Sequence, residues 1–584
     1  MNPIQPMWAA TAGLSLPWLI TYSLPPSSTF FNQASAWAAW AIYCWLLMSR
    51  SVSSGAVSTW QAVRGTWPVL VIFAAMAVAS LVSPLWTGLP ASLVWSTWAT
   101  LAGATVALAA GATMASQGRL NEALQGLFVP VVIAGSLSAV VVVVQIFFSD
   151  LAGNAWIAAS AYPQRASGNL RQPNHLSSLA LWAVIGVIWL HERAMLRRTV
   201  ALLLALALVM SVVFSGSRTG LLGVVVVAAW AVVDRSLSPF SRRMLWAMPV
   251  VYAVGWWLFR TWAAHAFGEV GTVDRVAGGG GDITSARFAI WSNTLDLVAR
   301  HPWFGVGFGE FNFAWSLTPF PDRPLQFYDH THNLFLQWAV EMGLPAALLL
   351  TLACTLTMWR TLRAARFAEG ADRAGVRTAF VALLLIMLHS MLEYPLWYSY
   401  LLLPTAFAFG LCLASDHSHR SSTVQRSART LPALLGVASV LMLVVTTVAV
   451  FDYRRVGVIF APPSNAAPLE VRMADGRHSI FFSHHADYAA ATTNEDLGSA
   501  SAVQSFRSAS HFLLDTRFMM AWARWFADRG ELDKARFLAD RLREFRNSAS
   551  ASFFDVCQQP AGDNRGLPFQ CRPAEKPVDY RDFR

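Results

Sequence analysis

Residues 199–233 read TVALLLALALVMSVVFSGSRTGLLGVVVVAAWAVV, two apolar runs on either side of one short polar turn. Each run approaches the roughly 17–25 apolar residues with which an α-helix crosses a bilayer. The pattern therefore predicts two membrane-spanning helices joined by a tight turn at 215–220, with Arg218 inside the turn.

The same pattern recurs along most of the chain, which has 584 residues, 55% of them hydrophobic and 13% charged. An average soluble chain carries about 25% charged residues, so a soluble globular domain and a disordered protein are both excluded. Apolar windows lie near 7–23, 35–49, 68–83, 96–116, 128–148, 174–190, 199–215, 219–233, 245–263, 333–358, 377–392, 396–414 and 430–450. We therefore predict an all-α, polytopic membrane protein of about 13 transmembrane helices, within a range of about 12–14.

The arginines predict the orientation of these helices. Arg50 is the first cationic side chain, so a cleaved signal peptide is not expected and the N-terminus is placed in the cytoplasm. With that choice, 17 of the 25 basic residues before position 450 fall in inner loops, as the positive-inside rule requires. The outward exceptions are Arg165, Arg171, Arg218, Arg260, Arg275, Arg287, Arg300 and Arg323.

The formal charge of +10 does not indicate a nucleic-acid partner. Most of it comes from the arginines that orient the membrane helices, because the region after residue 450 holds 18 basic and 17 acidic residues. Membrane lipids are the expected surroundings, and no nucleic acid is expected to bind.

The apolar windows divide the chain into four predicted parts. We predict transmembrane helices over 1–263, a large loop over 264–332, transmembrane helices over 333–450, and a helical tail over 451–584. Loop and tail are both placed outside the cytoplasm.

The tail carries a helical pattern broken once by glycine. Phe518, Trp522, Trp525 and Phe526 repeat at helical spacing, Gly530 interrupts them, and Ala535, Leu538, Leu542 and Phe545 resume the repeat. This predicts a helical hairpin similar to a tetratricopeptide-type (TPR-like) unit, although one unit is not a repeat array. In an exported tail, Cys557 and Cys571 either form a disulfide or remain two free thiols.

Glycine and aromatic residues mark the large loop. The run Gly278–Gly281 is interpreted as a flexible hinge, since no Gly-Lys-Ser/Thr follows that would make a phosphate loop. An amphipathic helix at the membrane surface is predicted from Ser285 through Leu297. The segment 302–309, PWFGVGFG, suits the lipid interface.

The loop ends in Tyr328-Asp-His330-Thr-His332-Asn333, directly before a membrane helix. Three roles stay open for the histidines: metal ligands, packing or capping groups, or a base for proton transfer near neutral pH. No metal is expected, because the two-residue spacing would point the rings apart on a helix and the chain lacks an Asp-x-Asp pair.

Two outward arginine clusters suit an anion. Arg171 lies in GNLRQPNH at 168–175, and Arg218 lies in SGSRTG at 215–220. The planar, permanently charged guanidinium binds two phosphate oxygens at once, whereas the alternative is contact with lipid headgroups. His389 and Glu393, four residues apart, are either functional intramembrane groups or a structural hydrogen-bonded pair.

Five motifs in order carry a family resemblance. They are LRQPNHL at 170–176, SGSRTG at 215–220, RFAIW at 287–291, DHTHNLFLQ at 329–337 and LEYPLWYSY at 392–400. The set resembles the bacterial O-antigen ligase and polymerase superfamily. Within it, the chain is most similar to the PglL-type protein O-oligosaccharyltransferases, and the resemblance extends over most of the membrane portion.

This resemblance implies a glycosyltransferase that moves an oligosaccharide en bloc from undecaprenyl diphosphate to Ser or Thr hydroxyls of periplasmic or pilin-like proteins. It further implies inversion, no metal or other cofactor, and a multi-pass protein of the bacterial inner membrane whose active site faces the periplasm. The catalytic residues it implies are His332, Arg287 and Arg218. The residues expected to bind the lipid diphosphate or the glycan are Arg171, Asn174, His175, Tyr328, His330, Asn333 and Glu393.

Other functions share these features. Transfer to the lipid A core and polymerisation of O-antigen units present a hydroxyl to the same kind of donor. A transporter of lipid-linked glycans is the alternative from another class, although its internal repeats and interrupted helices are not evident in the sequence.

Overall fold

The structure is a computed structural model, which describes residues 5–53, 60–161, 164–267, 281–321, 323–418, 430–493, 500–558 and 567–584. The predicted hinge at 278–281 lies outside these residues except for Gly281, which begins a helix. Arg275 and the predicted inner-loop residues Arg420, Arg426 and Arg429, which are among the 25 basic residues before position 450, also lie outside them.

Regular structure in these ranges is helical, and the one bridge between extended residues is isolated, between Leu24 and Ser27. Up to residue 267 the helices are α1 (Gln5–Gly13), α2 (Phe30–Ser53), α3 (Trp60–Arg64), α4 (Trp67–Val82), α5 (Ala91–Ser116), α6 (Leu120–Phe147), α7 (Pro173–Glu192), α8 (Arg198–Ser215), α9 (Arg218–Val233) and α10 (Pro239–Phe267). From residue 281 they are α11 (Gly281–Arg300), α12 (Phe311–Leu317), α13 (Leu334–Phe367), α14 (Arg373–Ser390), α15 (Ser399–Ser418), α16 (Thr430–Phe460), α17 (Leu469–Gly476), α18 (Ser483–Thr493), α19 (Ala500–Ser510), α20 (Thr516–Asp528), α21 (Leu532–Phe545) and α22 (Ala551–Phe554). The all-α class is confirmed.

In the described part of the chain, nine helices are long and apolar enough to cross a membrane. Helix α9 is apolar but shorter, while α2 and α10 have sufficient length, 24 and 29 residues, in less uniformly apolar sequences. Helix α1 has nine residues, about 14 Å at 1.5 Å per residue, against a hydrocarbon core of about 30 Å. A multi-pass membrane protein is therefore confirmed, whereas the predicted total of about 13 spans stays a prediction.

The chain divides into two compact units. The first comprises Met1–Ile72, Thr100–Gly281 and Ala353–Val448. Its central helix is α7, whose residues 173–190 are all buried. Gly220 allows α9 to approach α7 closely, because a Cβ atom at this position would lie 2.9 Å from the Cβ of Ser177.

The second unit comprises Phe73–Ala99, Asp282–Leu352 and Ala449–Arg584. Helices α20 and α21 pack against each other across Gly530, whose φ of 78° is the left-handed conformation that glycine adopts without strain. Phe518, Trp522 and Leu538 are buried, as the hairpin pattern predicts. Cys557 and Cys571 form a disulfide.

Loop and tail residues share buried contacts within this second unit. Arg323 pairs with Glu544 over 3.2 Å, and its guanidinium lies 4.4 Å from the ring centre of Phe545. Phe327 stacks on the same Phe545 ring with centroids 3.7 Å apart. Because Arg323 is only 3% exposed, this outward arginine serves the packing of the unit.

The aromatic and glycine segment 302–309 packs against a kink in α13. Gly343 interrupts the helical backbone with φ 79° and ψ 166°, and a Cβ atom there would lie 2.3 Å from the carbonyl oxygen of Trp303. The N–H groups of Val306 and Gly307 donate to the carbonyls of residues 340 and 341 over 2.8 and 3.1 Å. The glycines thus permit backbone contact, while the Trp303 side chain is 71% exposed.

Candidate functional site

Asn174 connects three of the sequence motifs within the first unit. Its Nδ2 donates to Glu393 Oε1 over 3.1 Å, and its Oδ1 accepts from the Ser217 hydroxyl over 2.7 Å. All three residues are buried, where polar groups are normally paired. The LRQPNHL, SGSRTG and EYPLW motifs, which lie far apart in sequence, therefore meet at one amide.

Side-chain caps fix the first turns of α7 and α9. Gln172 Oε1 accepts the N–H of Asn174 over 2.5 Å and the N–H of His175 over 3.0 Å. Ser217 Oγ accepts the N–H of Gly220 over 3.0 Å. Caps of this kind satisfy N–H groups that have no partner inside the helix, so both motifs are held as defined helix starts.

His175 and His389 lie close together in the first unit, with ring centroids 5.8 Å apart. His175 Nδ1 lies 2.9 Å from the Tyr400 hydroxyl, and its ring meets Tyr398 edge to face. His389 Nδ1 lies 2.8 Å from the hydroxyl of Ser178 on α7. His389 contacts α7 through Ser178, and Glu393 contacts it through Asn174.

Arg171 occupies a left-handed backbone conformation with φ 57°. Its guanidinium donates to the carbonyls of Thr21, Ser28 and Asn169. Burial lowers the pKa of Arg171. Non-glycine residues rarely adopt this conformation, and the residues that do are often found at functional sites. These contacts show that Arg171 organises the surrounding loops, and its role toward a diphosphate stays a prediction.

Arg218 is the first residue of α9 and is partly buried. The preceding turn is held by Arg165, whose Nε donates to the Ser215 carbonyl over 2.6 Å. A guanidinium and the N–H groups of a helix N-terminus both favour an anion. This arrangement is compatible with the predicted diphosphate contact of Arg218.

We expect Ser217→Ala to lower the free energy of unfolding by about 1–2 kcal/mol, since the hydroxyl both caps α9 and bonds Asn174. Thermal unfolding of the purified protein in detergent measures this loss. Ser211→Ala is the matched control, because that hydroxyl donates within α8 to the carbonyl of Ala207. Equal unfolding temperatures for the two variants would contradict the role given to Ser217.

In the second unit, the motif 328–333 brings both predicted histidines together. The ring centroids of His330 and His332 lie 4.1 Å apart, and His332 meets Tyr328 edge to face. His330 Nδ1 bonds the Asp329 carboxylate. His332 has a left-handed backbone with φ 58°, a conformation that lets two histidines two residues apart approach each other outside a helix.

Asn333 caps the helix that follows the histidines. Its Oδ1 accepts the N–H groups of Phe335 and Leu336, each over 3.1 Å. His332 therefore immediately precedes a fixed helix start, at the beginning of α13. This local function does not test the predicted part of Asn333 in binding the glycan.

The environment of His332 favours the neutral imidazole. Burial, followed by the electrostatic effects of His330 and Arg287, lowers the pKa of His332 to about 2, and Asp329 acts in the opposite direction. Only a neutral imidazole can accept a proton. The predicted residues Arg287 and His332 thus interact electrostatically in the second unit.

Several neighbours of the predicted residues were not selected from the sequence. Ser217 and Gln172 carry the caps, and Ser178 and Tyr400 contact the two histidines of the first unit. The caps have a sequence signal, a polar residue directly before an apolar helix. Ser178 has none, because one serine in an apolar helix does not indicate its partner.

The fold and the site define the class of this chain, a polytopic helical membrane protein that carries these motifs. Three family models match parts of the chain. The model described as "O-Antigen ligase" matches residues 202–351, a range that includes Arg218, Arg287 and His332. "Virulence factor membrane-bound polymerase, C-terminal" matches 378–557, and "Protein glycosylation ligase" matches 166–191.

Two relatives come from Acinetobacter baylyi. The chain is 24% identical to a "ComP-specific O-oligosaccharyltransferase" over 51% of its own length and 54% of that protein. It is 26% identical to a "General O-oligosaccharyltransferase" over 45% and 46% of the two lengths. The chain thus matches about half the length of these curated relatives. The resemblance to PglL-type O-oligosaccharyltransferases of the O-antigen ligase superfamily is confirmed.

Proposed function

We propose that this protein is an O-oligosaccharyltransferase, which moves a glycan en bloc from undecaprenyl diphosphate to a Ser or Thr hydroxyl of a protein. The reaction is assigned to the periplasmic face of the bacterial inner membrane. The observation that carries the proposal is the close approach of the His330 and His332 rings, with centroids 4.1 Å apart, within the range that matches the O-antigen ligase model and also contains Arg287.

The proposed reaction is a single displacement. A nitrogen of the His332 imidazole accepts the proton of the acceptor hydroxyl. At the same time, the oxygen of that hydroxyl attacks the anomeric carbon of the donor glycan. The bond from that carbon to the diphosphate oxygen breaks, and the diphosphate leaves with the electron pair. Arg287 stabilises the charge that develops on the leaving diphosphate, and the anomeric configuration inverts.

Binding of the donor would also make His332 a stronger base. A negative charge near an imidazole stabilises its protonated form and raises the pKa. An anionic diphosphate therefore counteracts burial and the charge of Arg287, which lower the pKa of His332. Proton acceptance is then favoured when the donor is in place, and no metal ion or other cofactor enters this scheme.

Arg218 and Arg171 are proposed as further diphosphate contacts, with Asn174, His175 and Glu393 as glycan or donor contacts. The buried network at Asn174 supports a precise arrangement of this region. Tyr328, His330 and Asn333 are proposed as further contacts of the donor or its glycan.

A protein acceptor is favoured by the model described as "Protein glycosylation ligase" and by the names of both relatives. Pilin-like and other periplasmic proteins are the proposed acceptors. The descriptions "O-Antigen ligase" and "polymerase" favour the two alternatives, transfer to the lipid A core and polymerisation.

Purified protein tests the proposal. We expect it to transfer glycan from an isolated undecaprenyl-diphosphate oligosaccharide to a periplasmic acceptor protein, with the product identified as a glycopeptide by mass spectrometry. Transfer to isolated lipid A core, or chain growth without an acceptor, would support the respective alternative. Glycan movement across vesicles without any transfer product would indicate a transporter.

A deletion strain tests the choice of acceptor independently in cells. A deletion strain should lose periplasmic glycopeptides and keep its normal lipopolysaccharide banding. Lost O-antigen together with intact glycopeptides would contradict the protein acceptor.

A further inference from the structure

Thr331, between the two histidines, is held through all of its polar groups. Its N–H donates to Gln337 Oε1 over 2.7 Å, and its carbonyl accepts from Trp291 Nε1 over 2.9 Å. Its hydroxyl donates to the Asn333 carbonyl over 2.8 Å. Thr331 has no exposed surface, so water does not compete for these bonds.

These bonds fix both peptide planes that flank Thr331. The bond to Gln337 holds the plane between residues 330 and 331, and the bond from Trp291 holds the plane between 331 and 332. The residues 330–333 lie before α13 and lack the ladder of a helix. The orientation of His332, which has a left-handed φ of 58°, therefore depends on the side chains of Gln337 and Trp291, which form hydrogen bonds with the neighbouring peptide groups.

Trp291 also connects the motif to Arg287. Both residues lie on α11, four positions apart, a spacing that places side chains on the same helix face. The hydrogen bond from Trp291 to the Thr331 carbonyl thus fixes α11 relative to the histidine motif.

We propose that Trp291 and Gln337 are positioning residues for the reaction, which orient His332 against Arg287 through the peptide of Thr331. This inference rests on the proposed function. Neither side chain is required to touch the substrates, and both act by keeping the base and the cation at a fixed separation. Misplacement of a reacting group by about 1 Å costs roughly 10²-fold in rate.

Two variants remove the side-chain bonds to the Thr331 peptide. Trp291→Phe deletes the indole N–H and keeps an aromatic ring beside Phe288, and Gln337→Met deletes the acceptor oxygen. We expect each to lower kcat by about 10–100-fold and to leave the KM for the acceptor within about twofold. Rates are measured with purified protein and normalised to the folded fraction found by size-exclusion chromatography.

Matched controls lose comparable bonds elsewhere. Trp98→Phe deletes an indole bond to the Ala77 carbonyl, and Thr357→Val deletes a buried hydroxyl bond within α13. We expect both to keep kcat within about twofold of the unaltered protein.

His332→Ala, assayed in parallel, separates the inference from the proposed function. If His332→Ala is inactive while Trp291→Phe and Gln337→Met match their controls, the positioning role is overturned and the proposed base stands. If His332→Ala retains normal transfer, the proposed function of the site fails. A loss in the two variants explained wholly by a smaller folded fraction would also overturn positioning, because it shows a structural role alone.

Discussion

We expect His332→Ala to lower the rate of glycan transfer by about 10²–10⁴-fold, the usual contribution of a general base. Burial, followed by the electrostatic effects of His330 and Arg287, lowers the pKa of this imidazole and favours its neutral form. Alanine cannot accept the proton of an acceptor hydroxyl, so the attacking oxygen must lose it to water. Purified variant and unaltered protein are compared with the same isolated lipid-linked donor and acceptor protein.

Two further variants sharpen this result. His330→Ala should reduce the rate less, since His330 acts through its ring contact with His332 and its bond to Asp329. His478→Ala removes an exposed histidine of the same unit and should leave transfer unchanged. A larger loss for His330→Ala than for His332→Ala would assign the base to His330.

The pH profile gives a second measure of the same base. Because the pKa of His332 is lowered, the imidazole of the free protein stays neutral as the pH falls through 6.5, the ordinary value of histidine. We therefore expect no loss of kcat/KM from His332 between about pH 7 and pH 6. An acid limb centred at or above pH 6.5 that disappears in His332→Ala would contradict the lowered pKa.

The local parts of the site were predictable from sequence. Ser217 and Asn333 stand directly before apolar helices, a position at which short polar side chains cap the first turn. The five motifs, together with the arginines that break the positive-inside pattern, also indicate candidate site residues, because an arginine outside the cytoplasm departs from that rule. Arg287 contributes to the lowered pKa of His332, and the catalytic roles that the resemblance implies for both residues stay predictions.

The long-range parts were not predictable. Nothing in the spacing of residues 174, 217 and 393 shows that one amide joins them, because a hydrogen bond between distant segments leaves no periodic signal. The same holds for the indole of Trp291 and the peptide of Thr331. Burial of Arg323 was also not predictable. The sequence predicts this charge on an outer face, whereas Phe545 and Glu544 pack against its side chain and bury it.

Composition predicts only part of the structure of segment 302–309. Its aromatic residues suit a lipid interface, and the side chains of Trp303 and Phe304 are largely exposed. The glycines have a different purpose, because Gly305 would place a Cβ atom 2.5 Å from the backbone of Glu341. A close backbone contact of this kind depends on the kink at Gly343, which an apolar window does not reveal.

We expect His511→Ala to lower the free energy of unfolding by about 3–5 kcal/mol, because it leaves a buried carboxylate without its partner. His511 Nδ1 lies 2.7 Å from Glu310 Oε2, and neither side chain has exposed surface. The His511 ring also stacks on Phe313 with centroids 4.3 Å apart. Thermal unfolding in detergent and trypsin cleavage within the tail both report the loss.

An exposed ion pair in the same unit tests whether burial causes the large loss of stability expected for His511→Ala. Arg581 and Asp579 form an ion pair in the same unit with side chains 61% and 49% exposed, and Arg581→Ala should cost only about 0–1 kcal/mol. The double variant Glu310→Leu with His511→Phe should be more stable than His511→Ala, since no charge then remains buried. A His511→Ala protein as stable as Arg581→Ala would contradict the buried pair.

The same variant should also slow transfer, because Asn312 connects the chain next to this pair with Tyr328 at the start of the histidine motif. Two residues after Glu310, Asn312 Nδ2 donates to the Tyr328 carbonyl over 3.0 Å, and Asn312 Oδ1 accepts the Leu514 N–H over 2.7 Å. Residues 511–514 of the tail are thus bonded to the segment that holds Tyr328. Loss of His511 loosens that segment, so the tail contributes to the geometry of the motif as well as to the stability of the unit.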